Sequence, residues 1–207
     1  MLRLQMACLA ILVLLLVGAA VAQDDEFGEE PTGDDTTQAA EDEQGLPETM
    51  EEFEARVAEK ALEPKQAVKL WFDAVFVYLN VDKELGAQMI TLMTKDKEWQ
   101  KKTYFMAALK ERPYIFRSYA KDSSPDNDYE MNPNKYELVV EKTDRKPYAD
   151  KEEDEYVKMF LKSSGADSAR PIVFQRNIRG EYKVYEFSSI YVGIRPPKTQ
   201  ADAADDF

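Results

Sequence analysis

Nine consecutive residues, Ser163-Ser164-Gly165-Ala166-Asp167-Ser168-Ala169-Arg170-Pro171, gather three hydroxyls, a carboxylate and a guanidinium around one glycine. Read as chemistry, Asp167 and Arg170 can orient a polar ligand, or Asp167 can serve as a general base beside Tyr185 or Tyr191. Read as structure, Ser-Gly-Ala-Asp-Ser is a turn in which Asp167 accepts from backbone amides, and Arg170 pairs with a carboxylate such as Glu186. Asp and Ser in turns have a ready local explanation, which favours the structural reading. Arg117, Tyr119 and Tyr129 admit the same two readings, as the lining of a cavity mouth or as half-buried packing residues with wet hydroxyls. Ser188 and Ser189 are adjacent, so on a strand they point to opposite faces. No G-x-S-x-G elbow surrounds them.

What is missing narrows the chemistry further. The chain has no histidine, and its single cysteine is Cys8. Ser-His-Asp and Cys-His catalysis are therefore excluded, as are the usual zinc sites. Any catalysis has to run on Asp, Glu, Lys, Tyr or Ser. No motif for a cofactor or metal is found, so the expected cofactor is none.

The elements that must position these residues begin after an export signal. Arg3 precedes an apolar run over residues 7–21, which closes on Ala20-Val21-Ala22 before Gln23-Asp24-Asp25. This is the pattern of a signal peptide with an A-x-A cleavage site, and the run is shorter than the ~20 residues of a spanning helix. Cys8 leaves with it. The expected location is periplasmic or extracellular, with no membrane span after cleavage.

Charge divides the remainder of the chain. Residues 23–63 carry 16 acidic and two basic side chains, whereas residues 64–200 carry 21 acidic and 24 basic. The net charge of −13 thus belongs to the ends. Residues 23–47 hold only Phe27 and Leu46 as large apolar side chains, too few to offset ordering entropy, and read as a disordered acidic linker. No calcium-loop spacing occurs in it. A near-neutral domain with acidic ends offers no basic stripe for nucleic acid. The expected partner is a small molecule or another envelope protein.

The spacing predicts an amphipathic helix within residues 48–63, opened by Thr49 with Glu52 as a capping box. A second helix, opened by Pro64 and apolar nearly all round through Trp71, Phe72 and Phe76, is a buried one. Asp82 and Asp96 are positioned to cap a third and a fourth, the last ending before Pro113. Strands are predicted at 114–119, 136–140, 157–161, 171–178 and 182–194, the last two joined at Arg179-Gly180. Both faces of the final strand are apolar, which predicts a central position. A disordered acidic tail is expected over 198–207. The fold class is α+β: three to four helices packed on a curved, mainly antiparallel sheet of about five strands within residues 64–197.

At the level of topology this order is similar to the cone-like fold of SnoaL-like and nuclear-transport-factor-like domains, which says little about function. Three stretches carry a closer likeness. Arg117-Ser118-Tyr119 with Pro125-x-Asn127-x-Tyr129, the run from Ser164 to Pro171, and Glu186-x-Ser188-Ser189-x-x-Gly193-x-Arg195-x-Pro197 resemble the signature stretches of a bacterial exported domain family of unknown function. That resemblance implies one domain of ordinary size and no activity to carry over. The expected function is a non-catalytic binding or interaction domain. The alternative is a hydrolase or isomerase working through a carboxylate and tyrosines in a pocket, with Arg117, Tyr119, Asp167, Arg170, Glu186 and Tyr191 as its candidate residues.

Overall fold

The computed structural model describes residues 45–205. The expected signal peptide and the linker up to residue 44 lie outside the described residues.

Helix α1 (Met50–Lys60) starts where Thr49 accepts the Glu52 N–H at 3.1 Å. The capping box is shifted by one residue, because Glu52 accepts from Glu48 N–H at 2.9 Å and not from Thr49. Glu52 also pairs with Arg56, whose Nη1 donates to the Gly45 carbonyl at 2.8 Å. The Leu46 side chain is buried and its N–H donates to Asn134 Oδ1 at 3.0 Å. Residues 45–47, expected in the linker, therefore pack as part of the domain. One buried apolar side chain, one amide bonded to Asn134 and one arginine-bound carbonyl hold them.

Helix α2 (Pro64–Asn80) has its proline in the first turn and buries twelve of its residues, including Trp71, Phe72 and Phe76. It turns sharply into α3 (Lys83–Met93), with Val81 and Asp82 N–H both donating to the Val77 carbonyl. Asp82 caps α3 through Leu85 N–H at 2.8 Å. The two helices meet at Gly86, where a Cβ would lie 2.2 Å from the Tyr78 nitrogen. Only glycine permits that approach. Asp96 caps no helix: it accepts from Glu98 N–H at 2.9 Å ahead of a 3₁₀ turn (Trp99–Lys101), and helix α4 (Thr103–Glu111) starts separately from Lys102, without a side-chain cap.

Residues 114–119 are not a strand. They form a short helix, α5 (Tyr114–Arg117), led in by Pro113 in helical conformation. Ser118 Oγ donates back to the Ile115 carbonyl at 2.7 Å. Ile115, Phe116 and Tyr119 enter the core, a helical spacing that overrides the β-propensity of the run.

The sheet is an antiparallel meander in the order β1-β2-β3-β4, from β1 (Val140–Asp144), β2 (Tyr156–Leu161), β3 (Arg170–Arg176) and β4 (Tyr182–Glu186). It has four strands and not five, since 114–119 is helical; the strand expected at 136–140 is displaced to β1, and Leu138 contributes only an isolated bridge to Ala120. The β3–β4 turn is the expected hairpin, with Gly180 at φ 85°. β4 stops at Glu186 and gives way to a 3₁₀ turn (Ser188–Tyr191). Phe187 and Ile190 are both buried, a spacing of three that suits a turn and not a continuing strand. β4 is an outer strand and not a central one. Beyond it lies a single parallel bridge, Thr94 to Val184, with Lys95 N–H on the Val184 carbonyl at 2.8 Å.

Helix α6 (Lys198–Asp205) occupies the stretch expected as tail. Its start is tied down by Thr199 Oγ1 donating to Asp128 Oδ1 at 2.8 Å.

The core joins the helices to Val157, Met159, Leu161, Ile172, Phe174 and Val184 of the sheet. At its centre Trp71 lies 5.2 Å from Phe72 and 5.5 Å from Phe187, and Phe105 lies 4.9 Å from Phe187. Such edge and tilted contacts add to the stabilisation from burial. The architecture is α+β.

Candidate functional site

Of the six candidate residues, Tyr119 and Arg170 bond to backbone carbonyls. Tyr119 is buried and its hydroxyl donates to the Ile190 carbonyl at 2.7 Å, with its ring 5.3 Å from Phe72. Burial pushes that hydroxyl far above the usual tyrosine range, so it works as a donor and not as a base. Tyr129, held at φ 58°, donates to the Arg195 carbonyl at 2.8 Å. Ser118 and Ser163 share a buried hydrogen bond of 2.7 Å, and Ser164 N–H donates to the Ser118 carbonyl at 3.0 Å. Gly165 lies so close to Tyr129 that a Cβ would stand 2.4 Å from its hydroxyl oxygen. Arg195 N–H closes the group on the Gly165 carbonyl at 2.8 Å. These contacts clamp α5, the 123–129 loop, the β2–β3 connection and the 188–195 segment together. The hydroxyls of this clamp are saturated by carbonyls or by one another, leaving none poised as a nucleophile.

The charged candidates sit at its rim. Arg170 Nη2 donates to the Gly193 carbonyl at 2.9 Å and does not pair with Glu186. Its Nε is buried with no hydrogen-bond partner among the described residues. Asp167 is exposed and pairs with Arg195 at 3.1 Å, so its carboxylate binds a guanidinium where a turn of backbone amides was expected. Glu186 is exposed and accepts from Ser188 Oγ at 3.2 Å. Ser188 and Ser189 lie in the 3₁₀ turn, so the strand geometry expected for them does not arise. Tyr191 is half-buried, 5.5 Å from Phe105, and burial raises its hydroxyl's affinity for the proton. Arg117 ends α5, half-buried.

The buried carboxylate is a different one, Asp73 on α2. Its Oδ1 accepts from Lys69 Nζ at 2.6 Å and from the Tyr136 hydroxyl at 2.7 Å, while the Lys69 ammonium lies 4.0 Å from the centre of the Tyr136 ring. Burial pushes the Asp73 carboxyl up, against the opposing pull of Lys69 and Tyr136. An acid four residues after a lysine in an apolar helix is the sequence signal for such a pair. Its third member, 63 residues further on, has no local signal. The trio fastens the 130s loop to α2.

The sheet has a second face. Val157, Met159 and Leu161 point into the core, so Tyr156, Lys158 and Phe160 point away from it. In register with them stand Gln175 opposite Tyr156, and Lys142 opposite Phe160. Lys183 stands opposite Gln175 on β4. Three tyrosines form an edge-to-face row, Tyr148 to Tyr156 at 5.1 Å and Tyr156 to Tyr185 at 5.2 Å. The Phe160 ring lies beneath two ammonium groups, those of Lys142 at 5.7 Å and Lys158 at 5.4 Å. Tyr185 is 45% exposed, high for a tyrosine already packed on another ring. Sequence reasoning centred on loops passed over this face. The signal was the alternation of Tyr156, Lys158 and Phe160 with Val157, Met159 and Leu161.

Among the described residues no group of three His, Cys, Asp or Glu is placed to hold a metal ion, and no helix is long and apolar enough to cross a membrane. No curated protein and no solved structure matches the chain. The family model of a domain of unknown function, DUF6935, matches residues 45–198, from the buried Leu46 stretch to the start of α6. The chain therefore belongs to the DUF6935 family, whose description names no activity.

Proposed function

We propose that this protein is an exported, non-catalytic binding module whose contact surface is the outward face of the sheet. The carrying observation is the row Tyr148, Tyr156 and Tyr185 beside Lys158 and Lys183, aromatic and cationic groups that the core does not use. Tyrosine suits such a surface because it offers a large rigid area with a polar end. Export rests on the leader-like residues 1–22 and on a chain without cysteine after residue 8. The periplasm or the external medium is then its site of action, and a small molecule or another envelope component its partner.

The hydrolase or isomerase reading loses its support with Asp167 and Glu186 at the surface and the clamp hydroxyls bonded to carbonyls or to one another. Expression of the full chain with cell fractionation should place the protein outside the cytoplasm, with its mature amino terminus at Gln23. Purified, it should turn over no ester, glycoside or peptide substrate. A cytoplasmic protein with residues 1–22 retained would overturn the export half. Turnover abolished by Asp167→Asn or Glu186→Gln would overturn the non-catalytic half.

A further inference from the structure

The outward face is not uniform. At its β4 side three lysines crowd together. Lys95 Nζ donates to Gln175 Oε1, and Lys183 stands opposite that same Gln175 in the β3–β4 register. Lys97 is anchored nearby, donating to the Thr91 carbonyl at 2.6 Å and the Thr94 carbonyl at 2.9 Å. Burial, and then the charge of Lys183, hold the Lys97 ammonium below its usual proton affinity. Among the described residues one of the three, Lys183, is ion-paired with a carboxylate. Glu181 Oε2 lies 3.1 Å from Lys183 Nζ, both side chains being 12% exposed. Even so, Lys183 Nζ is buried without an aligned hydrogen bond among the described residues. The cluster thus holds an excess of cation that an added oxyanion would offset.

From Gln175 the surface runs directly into the tyrosine row, since Tyr156 is Gln175's partner on β2 and packs against Tyr185. We propose that this combined surface, Lys95, Lys97 and Lys183 beside Tyr156 and Tyr185, binds an acidic saccharide. A carboxylate, sulfate or phosphate group meets the exposed Lys95 and Lys97, the buried Lys183 ammonium adding its charge from within, and the adjoining sugar ring lies on the tyrosines. This rests on the reading of the sheet face as a binding surface and names its ligand class.

The geometry separates sugars from other polyanions. The tyrosine planes meet at 89° and 77°, so no two neighbouring rings lie parallel to receive successive stacked bases. They do present alternating faces and hydroxyl-bearing edges, suited to the C–H faces and hydroxyls of a pyranose. An acidic peptide would gain most by adding a strand, but β1 has five residues and a register break between Val140 and Lys142, and the β4 edge is already bridged at Val184 by Thr94 and Lys95.

The test titrates the whole mature chain calorimetrically with five probes: hexagalacturonate, a heparin-derived hexasaccharide, maltohexaose, hexaglutamate and hexathymidylate. At least one acidic hexasaccharide should bind, and maltohexaose should bind about tenfold more weakly or not at all. Lys95→Met, at an exposed lysine, and Tyr185→Ala should each weaken the acidic saccharide about fivefold or more, with urea midpoints near that of the wild type. Absence of acidic saccharide binding, or binding indifferent to Tyr185→Ala, overturns the proposal. Tighter binding of hexaglutamate or hexathymidylate, weakened by the same two substitutions, overturns the ligand class while leaving the face as a binding surface. If no probe responds to either substitution, the face itself falls, and with it the reading on which the ligand class rests.

Discussion

The clamp around Tyr119 and the outward face of the sheet are built from the same kinds of residue and treat them in opposite ways. In the clamp, Tyr119 and Tyr129 give their hydroxyl protons to backbone carbonyls, and Ser118 and Ser163 bond each other. On the sheet, Tyr148, Tyr156 and Tyr185 pack ring against ring, and Tyr185 faces solvent. A distinctive sequence motif does not by itself mark a site of action. The clamp holds the densest motif of the chain because four segments distant in sequence must be fixed by a few short, directional bonds. Buried polar groups of that kind are costly to leave unpaired. The tyrosine rings of the sheet face carry no such obligation, and Tyr185 stays exposed.

The comparison breaks first if the core beneath both regions is removed. Trp71→Ala should cost about 3–5 kcal/mol in urea unfolding, because a fully buried ring touching Phe72, Phe105 and Phe187 is truncated. A loss under about 1 kcal/mol would mean that α2 is not the centre of the fold. Asp73→Ala should come next at about 3 kcal/mol, since it strands the Lys69 ammonium and the Tyr136 hydroxyl in a buried setting.

A pH series sharpens the second case. Burial raises the Asp73 proton affinity in the folded chain, so the folded state takes up that proton at a higher pH than the unfolded chain does. The charged carboxylate therefore weighs against folding above its folded pKa, and the penalty is relieved as pH falls through that value towards the ordinary aspartate range. Wild type should gain stability relative to Asp73→Asn on going from pH 7 to about pH 4. Movement in the opposite direction would mean that the pair with Lys69 outweighs burial. At the small end of the scale, Asp167→Asn should leave unfolding within about 0.5 kcal/mol of wild type, the carboxylate being exposed and its partner Arg195 also at the surface.

How much of this was legible depends on how local each cause is. Thr49, Pro64 and Asp82 mark helix starts through contacts within a few residues, and all three act where the sequence places them. The β3–β4 turn at Gly180 is equally local. Tyr114–Arg117 misleads because aromatic and β-branched residues suit strands in general, whereas here Ile115, Phe116 and Tyr119 are drawn to one helical face by the core. Ser188–Tyr191 misleads for the same reason, its alternation broken by the need to bury Phe187 and Ile190 together. Leu46 looked isolated because its partners, Asn134 and the Arg56 contact to Gly45, lie outside its own stretch. The candidate residues Tyr119, Asp167 and Arg170 were recognisable as distinctive, but what they bond to is set by segments 20 or more residues away. The tyrosine row needs the strand register to exist at all, which no single stretch of sequence contains.

Removing one oxygen at a time from each region tests the division between them most directly. Tyr119→Phe and Tyr185→Phe keep the ring and delete only the hydroxyl, in the clamp and on the sheet face respectively. Urea unfolding should register a loss of about 1–2 kcal/mol for Tyr119→Phe, which leaves the buried Ile190 carbonyl without its donor. Tyr185→Phe should fall within about 0.5 kcal/mol of wild type. Equal losses, or a larger one at Tyr185, would contradict the account, placing a structural bond on the sheet face and leaving the clamp hydroxyl free for chemistry.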